Sequence, residues 1–296
     1  MALRAWHFIQ DKIMLNEITI DNIESCIDYL DPDISENLGR EYFHGFYSTG
    51  PDGSCNGVLV WELKNVDASS GHRGMIMFYR ADDTEIGKDL IDGYSFQCRS
   101  LGVADSSFEL GGLKPDELEM FRSAGFQILE RESIDLKLTI RDLKGLKFLK
   151  NKIPPYIITL SELSTLEYKK GIANYVFSGN RKLLEDITML PPQWFEGIMS
   201  SAIRNDSRVN GLFLIHNSPS GVLMPQVFFA SGVNSKTDLL DMVNNTVRMA
   251  MIDYPPDTPV LIRRHDKSVA GLVSYLFPGF KGDTIFAGIR QEGGDK

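Results

Sequence analysis

Two segments of the chain end alike. "MFRSAGF" (Met120–Phe126) and "SYLFPGF" (Ser274–Phe280) each set a short helix and then Gly-Phe just ahead of a strand. The stretches leading into them also match: about 46 residues run from Tyr79 at a strand end to Gly125, and about 50 from Phe229 to Gly279. Self-similarity on this scale constrains the fold more than composition does, because each half must then build its own sheet and core. Two unrelated α+β halves would share alternating elements by chance. The common helix–Gly-Phe–strand detail favours two related domains.

The first half opens with a short strand, about Met14 to Ile18, and an amphipathic helix with Asp21 as its N-cap. "REYFHGFYS" and "NGVLVWELKNV" flank "TGPDGSC", a hairpin signal, and "HRGMIMFYR" follows the "DASSG" turn. Ile86, Leu90, Ile91, Tyr94 and Cys98 then fall at helical spacing, with Gly102 as a stop. "DSSFEL" reads as a strand, "KPDELEMFRSAGF" as a helix with Pro115 in its first turn, and "QILERESIDLKLTI" as one long edge strand. This order predicts an α/β fold of α+β type, a mostly antiparallel mixed sheet with one parallel crossover near its middle. Lysines and Pro154-Pro155 in "DLKGLKFLKNKIPPYIITL" mark a boundary. The expected domains are 1–145 and 146–296, the second entered through a helix-rich 160–205. Strands in "NGLFLIHN" and "VLMPQVFFA", the loop "SGVN", a long helix from "SKTD", the strand "PVLIRR", the helix "DKSVAGLVSYLF" and a last strand "DTIFAGI" complete it.

The net charge of −9 argues against a general nucleic-acid or anionic-membrane binder, which needs a basic face. Arg263, Arg264 and Lys267 form only a local basic group, read as a solvated helix start. The three scattered cysteines suggest neither a disulfide framework nor a zinc knuckle, and no histidine shows metal-ligand spacing. No stretch approaches the roughly 18 apolar residues of a membrane span, and "MALRAWHFIQDKIM" is too polar for a signal segment. A soluble, cytoplasmic protein is expected.

"FYRADDTEIGKDLI" (Phe78–Ile91) carries a strand through a loop and past one glycine into a helix, a junction suited to phosphate. Yet it bears Asp82, Asp83, Glu85 and Asp89, which equally suit a capped helix start. Its counterpart, "SGVNSKTDLL", offers Gly232, hydroxyls on Ser231, Ser235 and Thr237, and the cation Lys236. There Ser235 reads as an N-cap with Asp238 three residues on.

With these pieces in place, the element order resembles the GNAT family of acetyl-CoA-dependent N-acyltransferases, twice in tandem over roughly 14–140 and 160–290. The resemblance implies a loop of the form Q/R-x-x-G-x-G/A around the cofactor pyrophosphate at a helix start, and a tyrosine ahead of Gly-Phe that protonates the departing thiolate. In the first half Thr84–Asp89 lies at the loop position; Gly87 matches, Lys88 follows it, and Asp89 replaces the second small residue. Phe121 stands at the tyrosine position and has no proton to give, so this copy resembles a degenerate one. In the second half Tyr275 stands there, and Gly232, Val233, Asn234, Ser235, Lys236 and Thr237 form the counterpart loop. The resemblance thus implies acetyl transfer from acetyl-CoA to a small-molecule or peptide amine, without metal, in the C-terminal domain. Tyr275 would be the general acid; Glu62 and His216 are possible bases by residue type. The alternative is an inactive GNAT-like module that binds an acyl-CoA or a protein partner.

Overall fold

The computed structural model describes residues 14–40, 42–65, 72–177, 190–206, 208–263 and 267–292. The polar N-terminal segment, the "DASSG" turn and Arg264 lie outside them. In chain order the elements begin with β1 (Met14–Glu17), the short α1 (Pro32–Ser35), β2 (Phe43–Thr49), β3 (Cys55–Asn65) and β4 (His72–Ala81). Next come α2 (Thr84–Ser100), β5 (Val103–Leu110), α3 (Pro115–Ser123), β6 (Gln127–Glu132), β7 (Asp135–Thr139) and α4 (Ile140–Leu143). The second half carries β8 (Ile157–Thr159), α5 (Thr165–Phe177), β9 (Ser201–Asn205), β10 (Arg208–Asn217) and β11 (Leu223–Ala230). It ends with α6 (Ser235–Asp253), β12 (Pro259–Arg263), α7 (Lys267–Leu276) and β13 (Thr284–Gln291). No helix among the described residues is long and apolar enough to cross a membrane.

Among these residues the strands form two mixed sheets, ordered β1-β2-β3-β4-β5-β13-β6 and β7-β12-β11-β10-β9-β8. Each has one parallel pair, β4 with β5 and β11 with β12, as the crossover reading predicts. The chain divides at 133 and 283: one unit runs to Ser133 and resumes at Asp283, the other is Ile134–Gly282. This corrects the expected limits of 1–145 and 146–296, and the cause is strand exchange. β13 inserts between β5 and β6, pairing with Leu110 down to Asp105 on one side and Glu132 down to Gln127 on the other. β7 instead lies beside β12, Asp135 opposite Arg263 and Thr139 opposite Pro259.

"QILERESIDLKLTI" is therefore two strands in two sheets, broken at Ser133, whose N–H is held by the Asp283 carbonyl. Alternation continues across the break, so period alone cannot reveal it. The region after Asp21 is also revised. Two 3₁₀ turns, Ile23–Ser25 and Ile27–Tyr29, replace the helix, and Asn22 rather than Asp21 accepts the Thr19 N–H. The 160–205 region holds α5 but ends in strand β9, and residues 178–189 lie outside the described set.

In the first unit α2 lays Ile86, Leu90, Ile91, Tyr94 and Cys98 against Leu59, Trp61 and Ile76, the helical face read from spacing. β13 is tied in by charge as well as by its ladder. The half-buried Arg290 pairs with Glu292 and donates to the Ala124 carbonyl and to Ser95 Oγ. Ser106 Oγ also donates to Glu292, and Tyr94 Oη donates to Ser106 Oγ at 2.8 Å. The Gly-Phe repeat is a helix stop. Gly125 and Gly279 take φ of +90° and +82°, a region costly for residues with a Cβ. Past Gly125 the Phe126 N–H reaches back to the Phe121 carbonyl, closing α3.

Candidate functional site

In the first unit β4 and β5 pair from His72/Val103 to Ile76/Phe108 and then part. Beyond the last pair the space is occupied. Phe121 of α3, fully buried, packs on Phe108 of β5 at 4.7 Å and meets the Tyr79 ring of β4 edge-on at 5.3 Å. Burial, then the carboxylates of Glu117, Asp116 and Asp83, push the Tyr79 phenol well above its ordinary range. Gly87 is bare for this reason: a methyl there would overlap the Tyr79 hydroxyl and lie 2.7 Å from Met120 Sδ. The acids of the loop are also engaged. Asp83 Oδ1 accepts the Ile86 N–H at 2.9 Å, capping α2, and Asp82 accepts the Tyr29 hydroxyl at 2.9 Å. Lys88 is exposed. Asp89 is held above the usual carboxylate range by burial first and by neighbouring Asp92 and Glu85 next.

The same place in the second unit is built differently. Among the described residues β11 and β12 pair only at Leu223/Val260, so there the β12-facing edge of β11 carries no strand partner from Met224 onward. Ser231 anchors the following loop, donating through its N–H and its hydroxyl to the Asn210 carbonyl at 2.8 and 3.0 Å. Gly232 takes φ +109°, a Cβ there would meet no described atom within 4 Å beyond its chain neighbours, and Val233 is fully exposed. α6 starts at Ser235 with Asn234 in the cap position and no side-chain cap, so the expected Ser235 cap does not form. Asp238 turns inward and accepts the Tyr156 hydroxyl at 3.1 Å. The exposed first turn, with Lys236 and Thr237, faces solvent without a carboxylate cap. Uncapped first-turn N–H groups are donors for an anion.

Between the parted strands lies a cavity of about 100 Å³. Its wall includes Pro225 and Phe228 of β11, Ile262 of β12, Val247 of α6, and Leu272 and Leu276 of α7. Phe228 meets Phe213 edge-on at 4.8 Å, which fixes its ring in that wall. Tyr175 of α5, from the core on the other face of the sheet, completes it, and exposed Arg263 is its cation.

Tyr275 is not brought to this cavity. α7 turns Leu272, Val273 and Leu276 inward and leaves Tyr275 72% exposed, one residue off the lining face. The tyrosine on the wall is Tyr175, whose place on a buried helix face looks in sequence like any core aromatic. His216 is buried, stacked on Trp194 at 4.3 Å with Nδ1 2.9 Å from the Trp194 carbonyl. Glu62 pairs with Lys64 at 3.2 Å. Neither belongs to the cavity wall. No group of three His, Cys, Asp or Glu side chains among the described residues could hold a metal.

No protein-family model and no curated protein matches the chain. Solved structures do. A tandem GNAT protein from the clavulanic acid biosynthesis pathway aligns over 96% of this chain and 100% of its own, with a TM-score of 0.64 at 9% identity. A GCN5-related glucosamine N-acetyltransferase region of a fungal multi-domain GH3 β-N-acetylglucosaminidase aligns over 96% of this chain and 38% of its own, at TM-score 0.55 and 10% identity. A GCN5-related N-acetyltransferase from Kribbella flavida aligns over 94% and 71%, at 0.51 and 12%. At such identities the likeness speaks for fold alone, and the fold is that of a tandem GNAT protein.

Proposed function

We propose that the chain is an N-acyltransferase that takes an acetyl or larger acyl group from coenzyme A to an amine, and that the chemistry belongs to the second unit. The observation that carries this is the uncapped start of α6, following a strand that parts from its neighbour around a cavity. The residues there fit coenzyme A. Gly232 lets backbone approach closely, the Ser235 N–H closes the turn on the Gly232 carbonyl, the N–H groups of Lys236 and Thr237 suit a pyrophosphate, and Lys236 adds a cation. The open edge of β11 offers strand-type hydrogen bonds to an amide-containing arm. Bound there, the group supplies an acyl chain activated as a thioester. The apolar wall excludes water from it.

A phenol that delivers a proton to a leaving sulfur must lie at the cavity, and with a pKa of about 10 it does so without ionising at neutral pH. Tyr175 lines the cavity and Tyr275 does not, which supports giving Tyr175 the role that sequence had suggested for Tyr275. The first unit does not fit the cofactor, because Asp83 occupies the helix start and Tyr79 fills the space over Gly87. It acts as a scaffold.

The test is release of free thiol from acetyl-CoA in the presence of an amine panel. Tyr175→Phe should lower turnover about 10²- to 10⁴-fold, while Tyr275→Phe leaves it within about twofold. The reverse pattern would return the role to Tyr275. No thiol release with any amine, together with no thermal stabilisation by acetyl-CoA, would end the enzymatic reading.

A further inference from the structure

The cavity in the second unit is larger and more apolar than an acetyl group needs. Packed interiors leave few voids bigger than a water molecule, so a space of about 100 Å³ bounded by side chains from several helices and strands is a built feature. Val243 and Val247 of α6 and Leu272, Val273 and Leu276 of α7 face it with hydrocarbon alone. Polar lining is confined to a few side chains, such as Gln226 on β11 and Arg263 at the end of β12, the latter exposed and within 4.0 Å of Asp135. The space reaches from the core under α6 to Tyr175 in the core under α5, so it crosses the sheet where β12 has left β11. A cavity of about 150 Å³ takes the six carbons of benzene; by the same measure this one takes about four.

We infer that the second unit selects acyl-CoA thioesters with a short saturated chain, butyryl in preference to acetyl, and that this cavity holds the chain. The inference rests on the coenzyme A reading above and names its donor class. Each added methylene that leaves water for this wall tightens binding about fourfold, so butyryl-CoA should bind about fifteenfold more tightly than acetyl-CoA.

Calorimetric titration of the intact chain with CoA, acetyl-CoA, butyryl-CoA and sodium butyrate separates the outcomes. The expected order is butyryl-CoA tightest, acetyl-CoA near CoA, and butyrate weakest. Val247→Phe, which fills the space, should bring butyryl-CoA back to the affinity of CoA. The chain-length series on the unaltered protein stands even if that variant fails to fold. Equal or weaker binding of butyryl-CoA overturns the inference and leaves the coenzyme A reading intact. Butyrate binding as tightly as butyryl-CoA would make the ligand a free carboxylate held by Arg263, which also overturns it. Binding by none of the three CoA species overturns both.

Discussion

The loop at Asp82–Asp89 and the loop at Ser231–Asp238 occupy the same step of the fold, and they spend it differently. In the first, a carboxylate caps the helix and a tyrosine hydroxyl fills the space over the glycine. In the second, the helix start is uncapped and the glycine looks onto open space. One is a finished piece of folding; the other leaves donors unspent, and unspent donors are what an anionic ligand requires. The difference teaches that a glycine at a cofactor-loop position is informative only with its neighbours: Gly87 serves Tyr79.

The largest expected effect probes whether the two units are separate enough for that comparison to hold. Glu292→Ala strips the partner from an Arg290 side chain that is 11% exposed, and an uncompensated buried charge costs about 3–5 kcal/mol. Urea unfolding followed through the buried Trp61 should register that loss, while coenzyme A binding persists. Lost binding would mean that the second loop depends on the first unit.

Next come the paired glycines. Gly87→Ala forces a methyl against Tyr79 and Met120 and should cost about 1–3 kcal/mol, with no change in ligand affinity. Gly232→Ala meets no neighbour but must hold φ +109°, so it should weaken coenzyme A binding tenfold or more. A swap of these outcomes would break the comparison. Asp83→Ala removes a cap worth about 1 kcal/mol and should lower the midpoint of unfolding without touching binding.

The smallest effect concerns the acids inside each helix, half-buried Asp89 in α2 and buried Asp241 in α6. Asp241 is held above its ordinary range by burial first and by the Asp238 charge second. Its folded state therefore binds a proton more tightly than its unfolded state, which favours folding at low pH. That contribution is lost as pH rises from about 4 through the raised value. Asp241→Asn cannot ionise and should lose less Tm between about pH 4 and about pH 7, by a few degrees at most. An unchanged pH profile would remove Asp241 from the account.

Much of this was legible in sequence, and the misses have physical causes. Helix α2 and its buried face follow from the spacing of Ile86, Leu90, Ile91, Tyr94 and Cys98, because the face is local information. The destination of β13 is set by its pairing with β5 and β6 far away in the chain, which periodicity does not carry. Rotation of α7 is what sets Tyr275 off the cavity wall. Its counterpart Phe121 is fully buried, whereas α7 presents Leu272, Val273 and Leu276 inward. One residue of register is about 100° around a helix, enough to turn a side chain from cavity to solvent. The Gly-Phe pairing was read correctly because a left-handed helix stop needs glycine at one position.

Calorimetric titration of coenzyme A onto the intact chain, with Lys88→Glu and Lys236→Glu beside it, puts the two loops in direct competition. The account predicts one site per chain, kept in Lys88→Glu and lost in Lys236→Glu. Two sites, or binding that fails with Lys88→Glu and survives Lys236→Glu, would contradict it.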